Sequence, residues 1–230
     1  MVKKLKIFNN FNIPGKFKKS IILIGNFDGL HSGHQKLFEL AKKYKTKYKS
    51  KVGVVTFDPI PKMFFNTKIK NYRISNFNQK VIYLKKFGVD FVINKKFDKN
   101  FSKITYYKFI KDILSKKLRS KFIFVSNNFR FGHKREGDVA QLKKYENDFG
   151  YNLINPTPLM KNKKIISSTI IRKLLEEGKL SKANTFLKRN WEIEGKVQRG
   201  RMMGQKIGFP TCNIDTVSYT HLTLPTTEYV

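Results

Sequence analysis

Short apolar runs alternate with helical apolar stripes along most of the chain. A continuous apolar run bounded by polar turns predicts a strand that is buried on both faces. Apolar residues spaced three and four positions apart, as in Phe77, Val81 and Leu84, predict one face of a helix. The pattern predicts strands over residues 20–26, 51–57, 89–93, 121–125 and 151–154. It predicts helices over residues 33–47, 76–87, 105–118 and 138–149, the last of them capped by Asp138.

This alternation of strands and helices predicts an α/β fold with a mostly parallel, doubly wound sheet. Ligands of such sheets bind beyond the carboxyl ends of the strands. Polar turns follow three of the predicted strands, at residues 25–34, Thr56-Phe57-Asp58-Pro59 and Ser126-Asn127-Asn128-Phe129. We expect these turns to converge at one edge of the sheet and to form one site from distant parts of the sequence.

The turn Gly25-Asn26-Phe27-Asp28-Gly29-Leu30-His31-Ser32-Gly33-His34 joins the first strand to the first helix. A helix start offers unpaired N–H groups and the positive end of the helix dipole, which suit a phosphate. The glycines allow close approach of a nucleotide, and the two histidines are spaced to face one ligand. The pattern predicts attack on a nucleotide phosphate without a covalent enzyme intermediate. A surface pair or half of a metal site is the alternative, although zinc is disfavoured because His133 and His221 lie far away and the chain has one cysteine.

A second polar segment, residues 165–172, precedes the last clear helical stripe. Ser167 or Ser168 suits the N-cap of a helix that runs to Glu177, with Gly178 as its terminator. Three hydroxyls at a helix start, followed one turn later by Arg172, also suit an oxyanion-binding site. The sequence leaves the purely structural and the functional interpretation open.

Composition changes the picture only slightly. The formal net charge of +32 would normally indicate a nucleic-acid ligand, but the lysines are spread along the chain. They accompany abundant Asn, Ile, Phe and Tyr, residues that share A/T-rich codons, so we expect no specific nucleic-acid partner. The charge still attracts anions such as ATP. Cys212 is the single cysteine, and no signal peptide or bilayer-spanning run is visible, so a cytoplasmic protein is expected.

The pattern changes after Leu187, and we place a domain boundary near residues 184–190. Residues 191–197 alternate like an exposed antiparallel strand. Regularly spaced glycines then precede Phe209-Pro210-Thr211-Cys212-Asn213-Ile214, which indicates a β-barrel with tight turns. Residues 217–230 contain no lysine and are rich in threonine, so we interpret them as a non-native tail.

Together these segments resemble the bacterial bifunctional riboflavin kinase/FMN adenylyltransferase (FAD synthetase) family. The resemblance covers about residues 15–215. It is carried by residues 25–34, 56–61, 129–132 with Gly137-Asp138, 167–172 and 195–213. It implies a Rossmann-like nucleotidyltransferase domain over residues 1–187. An incomplete riboflavin kinase barrel would follow over residues 188–216.

The resemblance implies AMP transfer from ATP to FMN, giving FAD and pyrophosphate, and phosphorylation of riboflavin by the barrel. Both reactions would require Mg²⁺. His31, His34 and Arg172 would act on the phosphates. The implied nucleotide-binding residues are Gly25, Phe27, Asp28, Gly29, Asn128, Arg130, Ser167, Ser168 and Thr169. Thr211 and Asn213 would bind the metal–nucleotide in the kinase half.

Three positions depart from the family pattern. Ile60 stands where a histidine is usual, Ser126 replaces a glycine and Gln205 replaces an arginine. The chain also stops before the region that supplies the catalytic carboxylate of the kinase, so we expect no riboflavin kinase activity. Alternative functions are another nucleotidyltransferase of the superfamily, a class I tRNA synthetase fragment or a basic nucleic-acid-binding protein.

Overall fold

A six-stranded parallel sheet forms the centre of the molecule. The computed structural model describes residues 5–69, 72–158, 160–161, 164–198 and 213–215. The strands of the sheet are β1 (Lys6–Phe8), β2 (Ile21–Ile24), β3 (Val52–Asp58), β4 (Phe91–Lys96), β5 (Phe122–Phe124) and β6 (Asn152–Ile154). Their spatial order is β1-β4-β3-β2-β5-β6, and every neighbouring pair is parallel. The predicted α/β class is confirmed.

Five of these strands overlap the predicted ones, whereas the edge strand β1 was not predicted. It has three residues, pairs Lys6 with Phe91, and presents Lys6 and Ile7 to solvent. A strand this short and this exposed has no apolar run to identify it. The four residues of β2 are all buried, because β2 lies between β3 and β5 in the sheet.

Helices cover both faces of the sheet. They are α1 (Ser32–Lys47), α2 (Pro61–Phe65), α3 (Phe77–Lys86), α4 (Lys99–Ser102), α5 (Tyr106–Lys108), α6 (Val139–Lys144), α7 (Glu146–Phe149), α8 (Ser168–Glu176) and α9 (Leu180–Leu187). α5 continues into a π-helical segment, Phe109–Lys117, which ends with Leu118 N–H bonded to Ile113 O at 2.9 Å. The single helix predicted over 138–149 is wrong: Tyr145 separates α6 from α7, and Asp138 caps only α6.

A separate apolar cluster joins the last two helices to the domain. It contains Ile74, Ile171, Leu175, Ala183 and Leu187, all fully buried. Ile74 lies between β3 and α3 in the chain, whereas the other four side chains lie on α8 and α9. The cluster therefore holds the serine-rich helix start against the sheet domain.

The predicted strand over 191–197 is wrong for residues 191–195, which are irregular. Trp191 donates its backbone N–H to Asn184 Oδ1 at 2.7 Å and its indole N–H to Ile74 O at 2.9 Å. These contacts hold the segment against the domain, and within the described residues it pairs with no strand. The strand β9 (Lys196–Gln198) begins only afterwards and pairs antiparallel with β10 (Asn213–Asp215).

Two short strands, β7 (Met160–Lys161) and β8 (Lys164–Ile165), form an antiparallel pair before α8. Thr211, Gln205 and the segment 217–230 lie outside the described residues, and Asn213 is described only as part of the backbone of β10. None of the helices in the described part of the chain is long and apolar enough to span a bilayer.

Gly53 provides a test of packing at the centre of the sheet. A Cβ at this position would lie 2.1 Å from Cζ of Phe91, a fully buried ring. We expect Gly53→Ala to lower the free energy of unfolding by about 1–3 kcal/mol, the usual cost of overpacking. Urea denaturation measures this change. Gly15→Ala is the control, since no atom lies within 4 Å of its Cβ position, and equal effects of the two substitutions would contradict the packing argument.

Candidate active site

The turn after β2 is shaped by three residues with positive φ. Phe27 has φ 45°, Gly29 has φ 74° and Leu30 has φ 39°, within a tight turn that leads to His31 at the N-cap of α1. A Cβ on Gly29 would also lie 2.9 Å from Cγ2 of Ile74, so glycine is required by conformation and by space. The Phe27 ring is buried against Phe38, at 5.0 Å between ring centroids. The packing of Phe27 against α1 therefore holds the turn in place.

The two histidines of the turn lie in contact. The rings of His31 and His34 stack with centroids 3.7 Å apart and planes 22° apart. In each ring Nδ1 is buried and has no hydrogen-bond partner among the described residues. A Cβ on Gly33 would lie 3.2 Å from Nδ1 of His31, so the glycine leaves this edge of the ring open.

The environment keeps both imidazoles neutral at physiological pH. Burial lowers the pKa of His31 to about 4, the nearby Asp28 carboxylate opposes this shift, and Arg172 adds to it. Burial, His31 and Lys80 together hold the pKa of His34 well below its usual value. A neutral imidazole offers one donor and one acceptor, so the pair is suited to hydrogen bonding with a phosphate rather than to ion pairing.

Asp28 connects three separate segments through its carboxylate. It accepts hydrogen bonds from the backbone N–H groups of Ile74, at 3.1 Å, and Ser75, at 3.3 Å. It also forms an ion pair with Arg172 at 2.5 Å, and both residues are buried, with 3% and 7% of their surfaces exposed. The backbone carbonyl of Asp28 accepts a hydrogen bond from Ser168 Oγ at 2.9 Å. The histidine turn and the serine-rich helix start are thus brought together, as the family resemblance implies.

Arg172 is occupied by protein partners. Besides Asp28, its Nε donates to Tyr72 O at 2.8 Å, and its guanidinium carbon lies 3.7 Å from the centroid of the Tyr72 ring. The expected contact of Arg172 with pyrophosphate stays a prediction. The observed contacts give the arginine a structural role in orienting the N-terminus of α8.

A cavity of about 410 Å³, which we call the histidine cavity, opens at this edge of the sheet. Its lining includes His31, His34, Ser126, Asn128, Ser167 and Ser168. The N-termini of α1 and α8 both contribute residues to it. Ser167 is the N-cap of α8 and accepts the Ile170 N–H at 3.4 Å, while Thr169 is exposed and does not line this cavity.

A second cavity of about 530 Å³, the aromatic cavity, lies beside different parts of the same loops. Its aromatic lining comes from Phe57, Phe65, Phe97, Phe101, Phe109, Phe129 and Phe131, and its cations from Lys62, Arg130, Lys134 and Arg135. The sequence did not predict this cavity, because its phenylalanines come from segments far apart; the Phe129-Arg130-Phe131 triplet was the available signal. Arg130 is paired with Asp138 at 2.8 Å.

The two cavities share two stretches of chain. Asn26 lines the aromatic cavity and His31, in the same turn, lines the histidine cavity. Similarly, Asn128 lines the histidine cavity and the adjacent Phe129 lines the aromatic cavity. These two turns therefore contribute residues to both cavities.

Two of the departures from the family pattern lie in the described part of the site. Ile60 is buried at the start of α2, with 4% of its surface exposed, so this position contributes packing. Ser126 lines the histidine cavity and donates a hydrogen bond from Oγ to Asn128 Oδ1 at 2.9 Å. Ser126 therefore orients the neighbouring amide.

Residues after α9 also hold the histidine turn, which the sequence did not indicate. Arg189 donates to Gly29 O at 2.9 Å and lies over the Tyr83 ring, with its guanidinium carbon 4.0 Å from the centroid. Gln35 donates to Leu30 O and Leu187 O, each at 2.9 Å. The segment that follows α9 is thus part of the support for the site.

Asp28→Asn tests the buried ion pair. The substitution leaves the Arg172 guanidinium buried without a charged partner, and we expect the free energy of unfolding to fall by about 3–5 kcal/mol. Asp112→Asn is the control, since it removes an exposed ion pair between Asp112 and Lys116, which lie 3.4 Å apart. This substitution should change the free energy of unfolding by less than about 1 kcal/mol. Urea denaturation of both variants gives the comparison; a similar small effect for both would mean that the buried pair does not organise the site.

Two protein-family models match the sequence of this chain. The FAD synthetase family model matches residues 14–170, and the riboflavin kinase family model matches residues 187–229. The riboflavin kinase match extends into residues 217–230, the segment that we interpreted from its composition as a non-native tail. Among the described residues no group of three or more His, Cys, Asp or Glu side chains could hold a metal ion.

Individual relatives cover most of the chain. The bifunctional riboflavin kinase/FMN adenylyltransferase of Buchnera aphidicola (from Acyrthosiphon pisum) is 39% identical over 203 residues, 88% of this chain and 65% of the relative. The Escherichia coli K12 protein of the same name is 37% identical over 194 residues, 84% of this chain and 62% of the relative. The chain thus spans less than two thirds of the length of these curated relatives.

A solved structure has the same fold. The crystal structure titled macrolide-efflux protein from Streptococcus pneumoniae matches with a TM-score of 0.79 and 28% identity, over 93% of this chain and 70% of that one. The family match spans strands β2 to β6 of the sheet, the histidine turn and the start of α8. These segments carried the resemblance in the sequence, and the chain belongs to the FAD synthetase family.

Proposed function

We propose that this chain transfers AMP from ATP to FMN, with FAD and pyrophosphate as products. The observation that carries the proposal is the pair of cavities with different chemistry that share the turns 25–34 and 126–131. Histidines and serine hydroxyls at two helix N-termini suit the phosphates of ATP. An aromatic cavity with cations at its border suits a flavin ring that carries a phosphate.

The histidine cavity would hold the triphosphate. Neutral His31 and His34 donate hydrogen bonds to phosphate oxygens, and the hydroxyls of Ser167 and Ser168 add further donors. The N–H groups at the starts of α1 and α8 supply partial positive charge. Gly25, Phe27, Asp28 and Gly29 shape the turn, and Thr169 and Arg172 complete the start of α8 beside the departing pyrophosphate.

The aromatic cavity would hold FMN. Its phenylalanine rings provide apolar faces and edges against which the flavin ring packs. Arg130 lines this cavity, and Asn128, two residues earlier, lines the histidine cavity. The guanidinium would contact the flavin phosphate and the amide would contact the nucleotide. The cations at the border of the cavity favour the phosphate end of FMN.

The reaction needs no enzyme-bound intermediate. An oxygen of the FMN phosphate attacks the α-phosphorus of ATP, and the bond from that phosphorus to the bridging oxygen of pyrophosphate breaks. The attacking oxygen is already anionic, so no strong base is required, and the site contributes positioning and positive potential. Mg²⁺, bound mainly through the phosphates and water, would neutralise part of their charge.

We also propose the division of the chain at residue 187, with residues 188–216 as the start of a riboflavin kinase unit and 217–230 as a tail. Thr211 and Asn213 would bind the metal–nucleotide in that unit. The match of the riboflavin kinase model from residue 187 supports the position of the boundary, but it runs to residue 229 and gives no support to a separate tail. Small molecules, namely ATP, FMN and riboflavin, are the partners in this proposal.

An activity assay tests the proposal. Incubation with Mg²⁺, ATP and FMN should yield FAD, resolved by chromatography, whereas absence of FAD would reject the proposal. A parallel reaction with riboflavin tests the expectation, drawn from the sequence, that the chain lacks riboflavin kinase activity. FMN formed in that reaction would reject this second expectation.

His31→Ala should lower the rate of FAD formation about 10²-fold, because it removes a preorganised donor at the phosphates. Glu39→Ala is the matched control, since Glu39 lies exposed on the same helix. The rate constant kcat is measured for both variants at saturating ATP and FMN. An unchanged rate for His31→Ala would remove this histidine from the mechanism.

A further inference from the structure

One buried amine has no role in the site described so far. Lys80 lies on α3 with 6% of its surface exposed. Within the described residues its only hydrogen bond is to Thr56 Oγ1, at a long 3.4 Å. An ammonium group has three donors, and burial of a charge with so few partners is costly. Such a charge would be retained if it acts on something that the protein binds.

Lys80 lies beneath the turn that follows β2. Its partner Thr56 is fully buried near the carboxyl end of β3 and donates its hydroxyl hydrogen to Asn26 O at 3.4 Å. Asn26 lines the aromatic cavity, and its Oδ1 is buried without a partner among the described residues. The ammonium thus lies under the chain that separates the two cavities.

The charges around Lys80 leave its own charge uncompensated. Asp28, from the turn after β2, is paired with Arg172, and Asp58, at the end of β3, is paired with Arg73. These two carboxylates and the Arg73 guanidinium are the charged groups that act on Lys80, and each carboxylate already has its own arginine. His34, on α1, faces the ammonium as a neutral imidazole. One positive charge therefore remains beneath the turn.

We propose that Lys80 is a positioning residue for AMP transfer, whose buried ammonium projects positive potential through the turn onto the phosphates of ATP and FMN. This inference rests on the function proposed above. A charge in a low-dielectric environment acts at longer range than one at the surface. The phosphates of bound ATP and FMN would supply the negative charge that balances the Lys80 ammonium, since both nearby carboxylates are already paired with arginines.

The titration of Lys80 agrees with this placement. Burial lowers the pKa of its ammonium to about 8; Asp28 and Asp58 oppose the shift, and Arg73 adds to it. The group is therefore mostly charged at pH 7 and mostly neutral at pH 9. The phosphates of both substrates change their ionisation little over this range, since their last pKa is about 6 and they are already largely ionised at pH 7. We therefore expect kcat/KM to fall between pH 7 and pH 9 as the Lys80 ammonium loses its proton.

Lys80→Met and Lys80→Arg test the proposal, with Lys85→Met on the same helix as an exposed control. Lys80→Met should lower kcat/KM at pH 7 by about 10-fold or more. Its Tm should equal or exceed that of the wild type, because an apolar side chain of similar length replaces a poorly paired charge. Lys80→Arg should stay active at pH 9, without the fall that the wild type shows above pH 7.

Two results would overturn the proposal. One is a kcat/KM of Lys80→Met within twofold of the wild type. The other is a loss of activity that accompanies a lower Tm, since this would indicate a purely structural lysine. If the wild type forms no FAD, the role of Lys80 is tested separately by the affinity of the wild type and of Lys80→Met for a non-hydrolysable ATP analogue. A 10-fold weaker affinity in Lys80→Met would support the action of Lys80 on the phosphates, and an unchanged affinity would overturn it.

Discussion

The buried ion pair between Asp28 and Arg172 is the interaction on which the site depends. It joins the turn after β2, the backbone ahead of α3 and the start of α8. Since both charges lie away from water, each needs the other, and separation of the two would leave a charge in a low-dielectric environment. The pair therefore fixes the distance between two helix N-termini that face one cavity. The hydrogen bond from Ser168 Oγ to Asp28 O reinforces the same geometry.

The order of the strands explains why a crevice lies at this position. The chain proceeds from β2 to β3 and β4 on one side, and later crosses to β5 and β6 on the other. Loops that follow β2 and β5 therefore diverge, as they do at the switch point of other doubly wound sheets. The histidine turn and the segment 126–131 follow these two strands. They contribute residues to both the histidine cavity and the aromatic cavity, an arrangement suited to a transfer between two bound molecules.

The electrostatics of the site differ from what a chain of net charge +32 suggests. Most lysines lie at the surface, where water and salt screen them. At the site itself Arg172 and Arg73 are neutralised by carboxylates, and both histidines are uncharged because of burial. Phosphates would meet hydrogen-bond donors, helix N-termini and the buried Lys80 ammonium. Preorganised groups of this kind stabilise developing charge without reorganisation.

The sequence by itself determined the parallel sheet, because its strands are apolar throughout and are separated by helical stripes. It also predicted that the turns at residues 25–34 and 126–129 would lie close together, because turns after parallel strands meet at one edge. Ser167 and Ser168 were assigned to the same site only through the family resemblance. Only the tertiary structure decided that Arg172 pairs with Asp28, that Lys80 is buried, and that Trp191 docks on Ile74 where a strand was predicted. Periodicity shows which face of an element is buried, but the partner of a long polar side chain depends on which distant segment packs beside it.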